Sequence, residues 1–289
     1  MVLAILKAEN LNFVYSPDTP FKYEAVKDIS FSVDEGEILG IIGHTGSGKS
    51  TLLQLLNGLL KPTGGKILLH DKDIWQNPKE IRDIRFKIGL VFQYPEYQLF
   101  EETVEEDIAF GPKNMKLDSE EINNRVNDAV NTVMLKEELL KKSPFDLSGG
   151  EKRRAAIAGI MAMKPEIIIF DEPTAGLDPI GRETVLKAIE DYRKSNNATV
   201  IIVSHSMEDM AQICDNILVL NNGSVFMHDT AENVFKNSQQ LTSIGLNVPE
   251  ITRVMLALKE SGVNIDTNVF TVDRAVAVIE DYLSGGAVL

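Results

Sequence analysis

Glu37-Ile38-Leu39-Gly40-Ile41-Ile42-Gly43-His44-Thr45-Gly46-Ser47-Gly48-Lys49-Ser50-Thr51 reads as a strand, a loop and the start of a helix. The unbroken apolar run from residue 38 to 42 suits a strand covered on both faces of an α/β sheet. The loop fits the pattern G-x-x-x-x-G-K-[ST] in the one context that gives the pattern meaning, directly after a buried strand and before a helix. Its glycines let successive backbone N–H groups curl around phosphate oxygens, and the helix N-terminus adds positive potential. Lys49 is then placed for β/γ-phosphates, and the Ser50 hydroxyl for a Mg²⁺ ion.

Working outward, apolar runs recur at residues 167–170 and 200–203, with helical stretches at 49–59 and 179–193 between them. That alternation predicts a mostly parallel sheet wrapped by helices. Before it, Leu11-Phe13-Tyr15 and Ile29-Phe31-Val33 alternate with polar residues, as two half-exposed antiparallel strands do. A helical insert is expected at about 95–164. Its clearest helix opens with Asp118 and Glu121 in capping-box spacing and puts Ile122, Val126, Ala129, Val130 and Val133 on one face. After about residue 245, Pro249 opens a helix with the stripe Ile251, Val254, Met255 and Leu258, and Gly262 ends it. A second short helix follows at 273–283.

Composition narrows the class. At 289 residues, with 44% hydrophobic and 25% charged residues, the chain matches folded water-soluble proteins. Its 29 Lys+Arg against 43 Asp+Glu leave a net charge of −14, so no nucleic-acid partner is expected. The cluster Lys152-Arg153-Arg154 is expected on a solvated or dimer-facing surface. No apolar run approaches the roughly 20 residues needed to cross a bilayer. The apolar start lacks a basic region before it, so export is not expected. One cysteine, Cys214, allows neither an internal disulfide nor a Cys-based metal site.

The strand Ile167-Ile168-Ile169-Phe170 ends in Asp171-Glu172. Asp171 suits the Mg²⁺ shell, and Glu172, one residue on, can orient and polarise an attacking water. Twenty residues earlier ends Leu147-Ser148-Gly149-Gly150-Glu151, which opens another helix with Ser148 as N-cap and leaves its amides open to a phosphate group. With these motifs in order the chain resembles ABC-type ATPases, whose signature is LSGGQ; Glu151 replaces the glutamine.

The resemblance covers residues 3 to about 235. It implies the P-loop NTPase ABC ATPase fold, α/β with a RecA-like core, an antiparallel β subdomain and a helical subdomain, here followed by a small α-helical C-terminal extension. The nucleotide-binding unit is expected at 1–245 and the extension, a candidate for dimerisation, at 246–289. The resemblance also implies that ATP and Mg²⁺ are bound. Gly43, His44, Thr45, Gly46, Ser47, Gly48, Lys49, Ser50 and Thr51 would cradle the phosphates, with Tyr15 stacked on adenine. Ser50, Gln93 and Asp171 would hold the metal. Glu172, His205 and Gln93 would be catalytic, His205 as the switch histidine. Ser148, Gly149, Gly150 and Asp178 would face the opposing subunit's ATP in a head-to-tail pair.

A narrower resemblance rests on Phe92-Gln93-Tyr94-Pro95-Glu96, on Gln98-Leu99-Phe100-Glu101-Glu102-Thr103-Val104 and on Ala109-Phe110-Gly111-Pro112. These look like energy-coupling factor transporter ATPases, and more like the second of their paired paralogues. Such a chain would hydrolyse ATP at the cytoplasmic face of the cell membrane, as a peripheral protein. Its partners would be a second ATPase subunit, identical or a paralogue, an integral membrane coupling subunit and a membrane subunit that captures a vitamin or transition-metal ion. An ATPase of another ABC importer is the alternative. A soluble regulatory or nucleic-acid-associated ATPase fits less well, because the single motif set is not interrupted by heptads.

Overall fold

Alternating side chains build the first hairpin in the computed structural model, which describes residues 4–284. β1 (Ala4–Tyr15) pairs antiparallel with β2 (Tyr23–Asp34). The buried positions of β1 switch from Leu6 and Ala8 to Leu11 and Phe13. Asn10, between them, has φ +46° and marks a β-bulge, so the strand keeps one apolar face across an extra residue. The strand therefore starts well before the alternation that announces it.

β3 (Ile38–Ile42) is buried at every position and leads through the glycine loop into α1 (Lys49–Leu56). The helix stops short of the expected residue 59, because Asn57 caps it and Gly58 takes a left-handed turn. β4 (Gly64–Leu69) and β5 (Lys72–Asp73) extend the hairpin to a four-stranded sheet in the order β2-β1-β4-β5. α2 (Ile81–Lys87) leads into β6 (Ile88–Val91).

Three helices follow: α3 (Val104–Asn114), α4 (Ser119–Thr132) and α5 (Gly149–Met161). In α4, Asp118 accepts the Glu121 amide at 2.9 Å, but the Glu121 carboxylate turns to Arg125 at 2.6 Å, so the capping box is only half made. Val126, Ala129, Val130 and Val133 are buried as their spacing requires, with Ile122 packed beside them.

The chain then returns through β7 (Ile167–Asp171), α6 (Pro179–Asn196), β8 (Thr199–Val203), α7 (Met207–Ile213), β9 (Asn216–Asn221) and β10 (Ser224–Thr230). The six-stranded sheet has the order β10-β9-β3-β8-β7-β6, parallel except for the edge strand β10. Each central strand feeds two cores. Ile38, Ile42, Ile168, Phe170, Val200 and Ile202 pack towards the helices, whereas Leu39, Ile41, Ile167, Ile169, Ile201 and Val203 pack with α1 and the first sheet. The carboxyl ends of β3, β7 and β8 lie side by side, the usual place for a ligand in such a sheet.

α8 (Ala231–Lys236), α9 (Ser238–Ser243), α10 (Glu250–Glu260) and α11 (Val272–Leu283) complete the described chain. The helix-side core runs past residue 245, since Leu246 and Val248 are buried in it. A separate small cluster follows: Met255, Ile265, Val269 and Ala275 are buried, with Ile251, Leu258, Val278 and Ile279 packed around them. Val254 does not join this stripe; it is 45% exposed, on the shoulder of α10. Met255→Ala should remove the centre of that cluster and cost about 2–4 kcal/mol locally. Hydrogen exchange should accelerate across α10 and α11 while the six-stranded sheet stays protected. Uniform acceleration over the whole chain would show that the cluster has no separate stability.

Candidate active site

A cleft of about 410 Å³ opens where β3, β7 and β8 end. Thr45, Gly46, Gly48, Lys49, Ser50 and Thr51 line one side, and Gln93, Asp171, Glu172 and His205 the other. The fold thus brings together six residues of the glycine loop with the expected glutamine, both acids and the histidine. Gly48 is the N-cap of α1 at φ +98°, and a Cβ there would overlap the Ala25 carbonyl oxygen, so only glycine fits.

The loop is poised for an anion. Lys49 is 8% exposed and folds back to donate to the carbonyls of Gly43 at 2.6 Å and His44 at 3.1 Å. Burial lowers its pKa, opposed by the charges of Glu172 and Asp171. The Ser47 hydroxyl is buried without a partner. The His44 ring faces elsewhere, to Asn221 Oδ1 at 3.0 Å and the Thr45 carbonyl at 2.8 Å, so its contribution to the loop is backbone and brace. Tyr15 stands outside the lining and reaches it through its hydroxyl, 3.2 Å from Thr51 Oγ1, with its ring T-shaped against Phe13.

The two acids differ. Burial pushes the Asp171 carboxyl up, and a hydrogen bond from Ser50 and the charges of Lys49 and His205 pull it back. Glu172 is pushed up to about 7, chiefly by burial. Its Oε2 accepts the His205 amide at 3.3 Å, while Oε1 is buried with no hydrogen-bond partner, His205 Nε2 standing 3.5 Å away. Burial and the nearby Lys49 charge lower the His205 pKa. A carboxylate with a free oxygen and a pKa near neutrality can accept a proton from water.

The signature residues lie outside this cleft. Ser148 caps α5 in a full capping box: Glu151 Oε2 accepts from the Ser148 amide at 2.8 Å, and the Glu151 amide donates to Ser148 Oγ at 3.4 Å. Glu151 therefore performs the local task that a glutamine would. A Cβ on Gly149 would meet nothing, and on Gly150 only the end of Arg154, so neither glycine answers a need within this chain. Asp178 caps α6 through the Gly181 amide at 2.7 Å.

Two residues escaped the sequence. Tyr23 lines the cleft, with its hydroxyl on the Gly46 carbonyl at 3.2 Å. It is the register partner of Tyr15 across the hairpin, a pairing the alternation could have supplied. Arg153, expected at a solvated or dimer-facing surface, is instead 2% exposed and paired with Glu96. It lies on the face of α5 turned into the protein, which a charge count along the sequence does not register.

Comparisons with known proteins give the family. The ABC transporter family model matches residues 26–175. The chain is 52% identical to the energy-coupling factor transporter ATP-binding protein EcfA2 of Clostridium tetani, over 93% of this chain and 94% of that protein. It is likewise 52% identical to EcfA2 of Caldanaerobacter subterraneus subsp. tengcongensis, over 97% and 98%. Among solved structures, cbiO1 from Clostridium perfringens, part of the ABC transporter complex cbiONQ, superposes with a TM-score of 0.75 at 39% identity, over 90% and 97%. A dimeric ATP-binding cassette in a post-hydrolysis state with ADP and Pi gives 0.70 at 29%, over 78% and 98%.

Glu172 yields a stability test. Its folded pKa lies above the ordinary 4.5, so its protonated form favours the fold below about 4.5 and that contribution is lost as pH rises through about 7. Glu172→Gln has no such loss, and its melting temperature should gain on the wild type from about pH 5 to about pH 8. An equal difference at both pH values would place Glu172 in water, not in a buried site. With fold, cleft and relatives in agreement, the chain belongs to the ABC transporter ATPases that bind and hydrolyse ATP to drive transport, among the energy-coupling factor transporter ATP-binding proteins.

Proposed function

We propose that this chain is the engine of an energy-coupling factor importer for a micronutrient, a vitamin or a transition-metal ion. The observation that carries the reading is the single cleft in which the glycine loop meets Gln93, Asp171, Glu172 and His205. Backbone amides of the loop take the phosphates, and Lys49 exchanges its two loop carbonyls for β/γ-phosphate oxygens. Tyr15 offers a ring to the adenine.

The donor set fits Mg²⁺. Among the described residues no group of three or more His, Cys, Asp or Glu could hold a metal by itself. Mg²⁺ binds through one or two protein oxygens plus substrate phosphates, and the Ser50 hydroxyl beside Asp171, with Gln93 across the cleft, are hard oxygen donors of that kind. When bound, the ion would neutralise charge on the β- and γ-phosphates. Glu172 Oε1 orients the attacking water and takes its proton, and His205 holds the γ-phosphate side. Ser148, Gly149, Gly150 and Asp178 serve the ATP of an opposing subunit, a paralogue or an identical copy.

Among the described residues no helix is long and apolar enough to cross a membrane. By its likeness to energy-coupling factor ATPases the chain would attach peripherally, at the cytoplasmic face, to an integral coupling subunit that also carries a substrate-capture subunit. A groove beside α5, with Leu99, Phe100 and Phe110 on its walls, suits a helix of that subunit. Glu172→Gln in the assembled transporter should retain ATP binding while turnover and uptake fall by roughly 10²–10⁴-fold. Wild-type turnover in that variant would remove Glu172 from the chemistry.

A further inference from the structure

Arg153 has no part in the chemistry above, yet its contacts join the pieces that do. Its guanidinium forks onto Glu96, Nε to Oε2 at 3.0 Å and Nη2 to Oε1 at 2.8 Å. Nη1 donates to the Pro173 carbonyl at 3.4 Å and to the Ala175 carbonyl. The guanidinium carbon lies 5.5 Å from the centre of the Tyr94 ring. Four of its five N–H donors are thus used, as a buried cation requires.

The partners come from two loops whose shape matters to the cleft. Tyr94 follows Gln93, and Pro173 follows Glu172. Tyr94 and Glu172 both have left-handed backbones, φ +55° and +53°. Non-glycine residues persist in that region only when their surroundings hold them there. Arg153 grips the strained residue itself in one loop and the next carbonyl in the other. Within the second loop the Ala175 amide donates to the Glu172 carbonyl at 3.2 Å, so the grip on Ala175 reaches Glu172 directly.

The same helix faces outward. Ala155, Ala156 and Gly159 of α5 form part of the wall of the apolar groove, about 590 Å³, whose other lining includes Leu99 and Phe100, just beyond Glu96. We infer that Arg153 is a positioning residue for hydrolysis: it clamps the loop after Glu172 to Glu96 and so holds Glu172 in its place at the cleft. This rests on the cleft being the ATP site. The signature helix, the loop after Gln93 and the loop after Glu172 then move as one body.

The test uses the assembled transporter carrying Arg153→Lys, Glu96→Gln or both, assayed for kcat, KM for MgATP and melting temperature. Lysine keeps the charge but cannot reproduce the fork. Arg153→Lys should lower kcat by roughly 10- to 100-fold, the cost of a small displacement of a catalytic group. KM should stay within about two-fold, because the phosphate cradle is untouched. The double variant should be no slower than the slower single one, since both break one clamp. Glu96→Gln, close in shape to the original, gives the same readout should the lysine variant fold poorly. Wild-type kcat in both single variants, or a kcat loss that only tracks a loss of folded protein, overturns the clamp. Lys49→Ala in the same assay separates this from the underlying reading: full turnover there overturns the ATP site itself, whereas its loss there with kcat retained in Arg153→Lys overturns only the clamp.

Discussion

The glycine loop keeps its shape because two sheets close on it at Ala25. The Ala25 carbonyl lies so near Gly48 and Gly223 that a side chain at either would collide with it. Gly223, in the turn between β9 and β10, donates to the Ser47 carbonyl at 3.2 Å and accepts the Lys27 amide at 2.7 Å. The loop is therefore held between β2 of the first sheet and the edge turn of the second. A phosphate cradle must present its amides before the ligand arrives, and this double contact fixes them at little cost in mobility.

Two buried polar atoms near the loop lack a hydrogen-bond partner. Lys49 rests on its own loop's carbonyls, the Ser47 hydroxyl has no partner, and Glu172 has one oxygen with none. Buried polar groups are costly when unpaired, and of these two only Glu172 lines the cleft. At α5, a Cβ on Gly149 would meet nothing and on Gly150 only the end of Arg154, so no contact within the chain calls for either glycine. The signature residues at the start of α5 thus stand apart from the cleft that the glycine loop lines.

Much of this was legible in the sequence because the motifs report backbone requirements. The glycine loop announces a turn from strand to helix, the unbroken run at residues 38–42 announces a doubly covered strand, and Ser148 announces a helix start. What was hidden depends on the third dimension. The bulge at Asn10 resets the alternation of β1, so the first half of the strand looks unpatterned. Lys152-Arg153-Arg154 reads as one charged patch, yet Arg153 is buried against a glutamate 57 positions earlier in the chain. Val254 fits a helical stripe by spacing but lies on its shoulder, where α11 does not cover it. Spacing gives a face; only packing decides how wide that face is.

The central claim is that the cradle and the signature of one chain serve different nucleotides. It is tested most directly by Ser148→Arg, measured twice. Calorimetric titration of ATP into the monomeric variant should give an affinity within about two-fold of the wild type, because Ser148 lies outside the cleft. ATP turnover of the assembled pair should be lost at the site that this signature faces. A monomer that no longer binds ATP would contradict the account, since it would place the signature at its own chain's nucleotide.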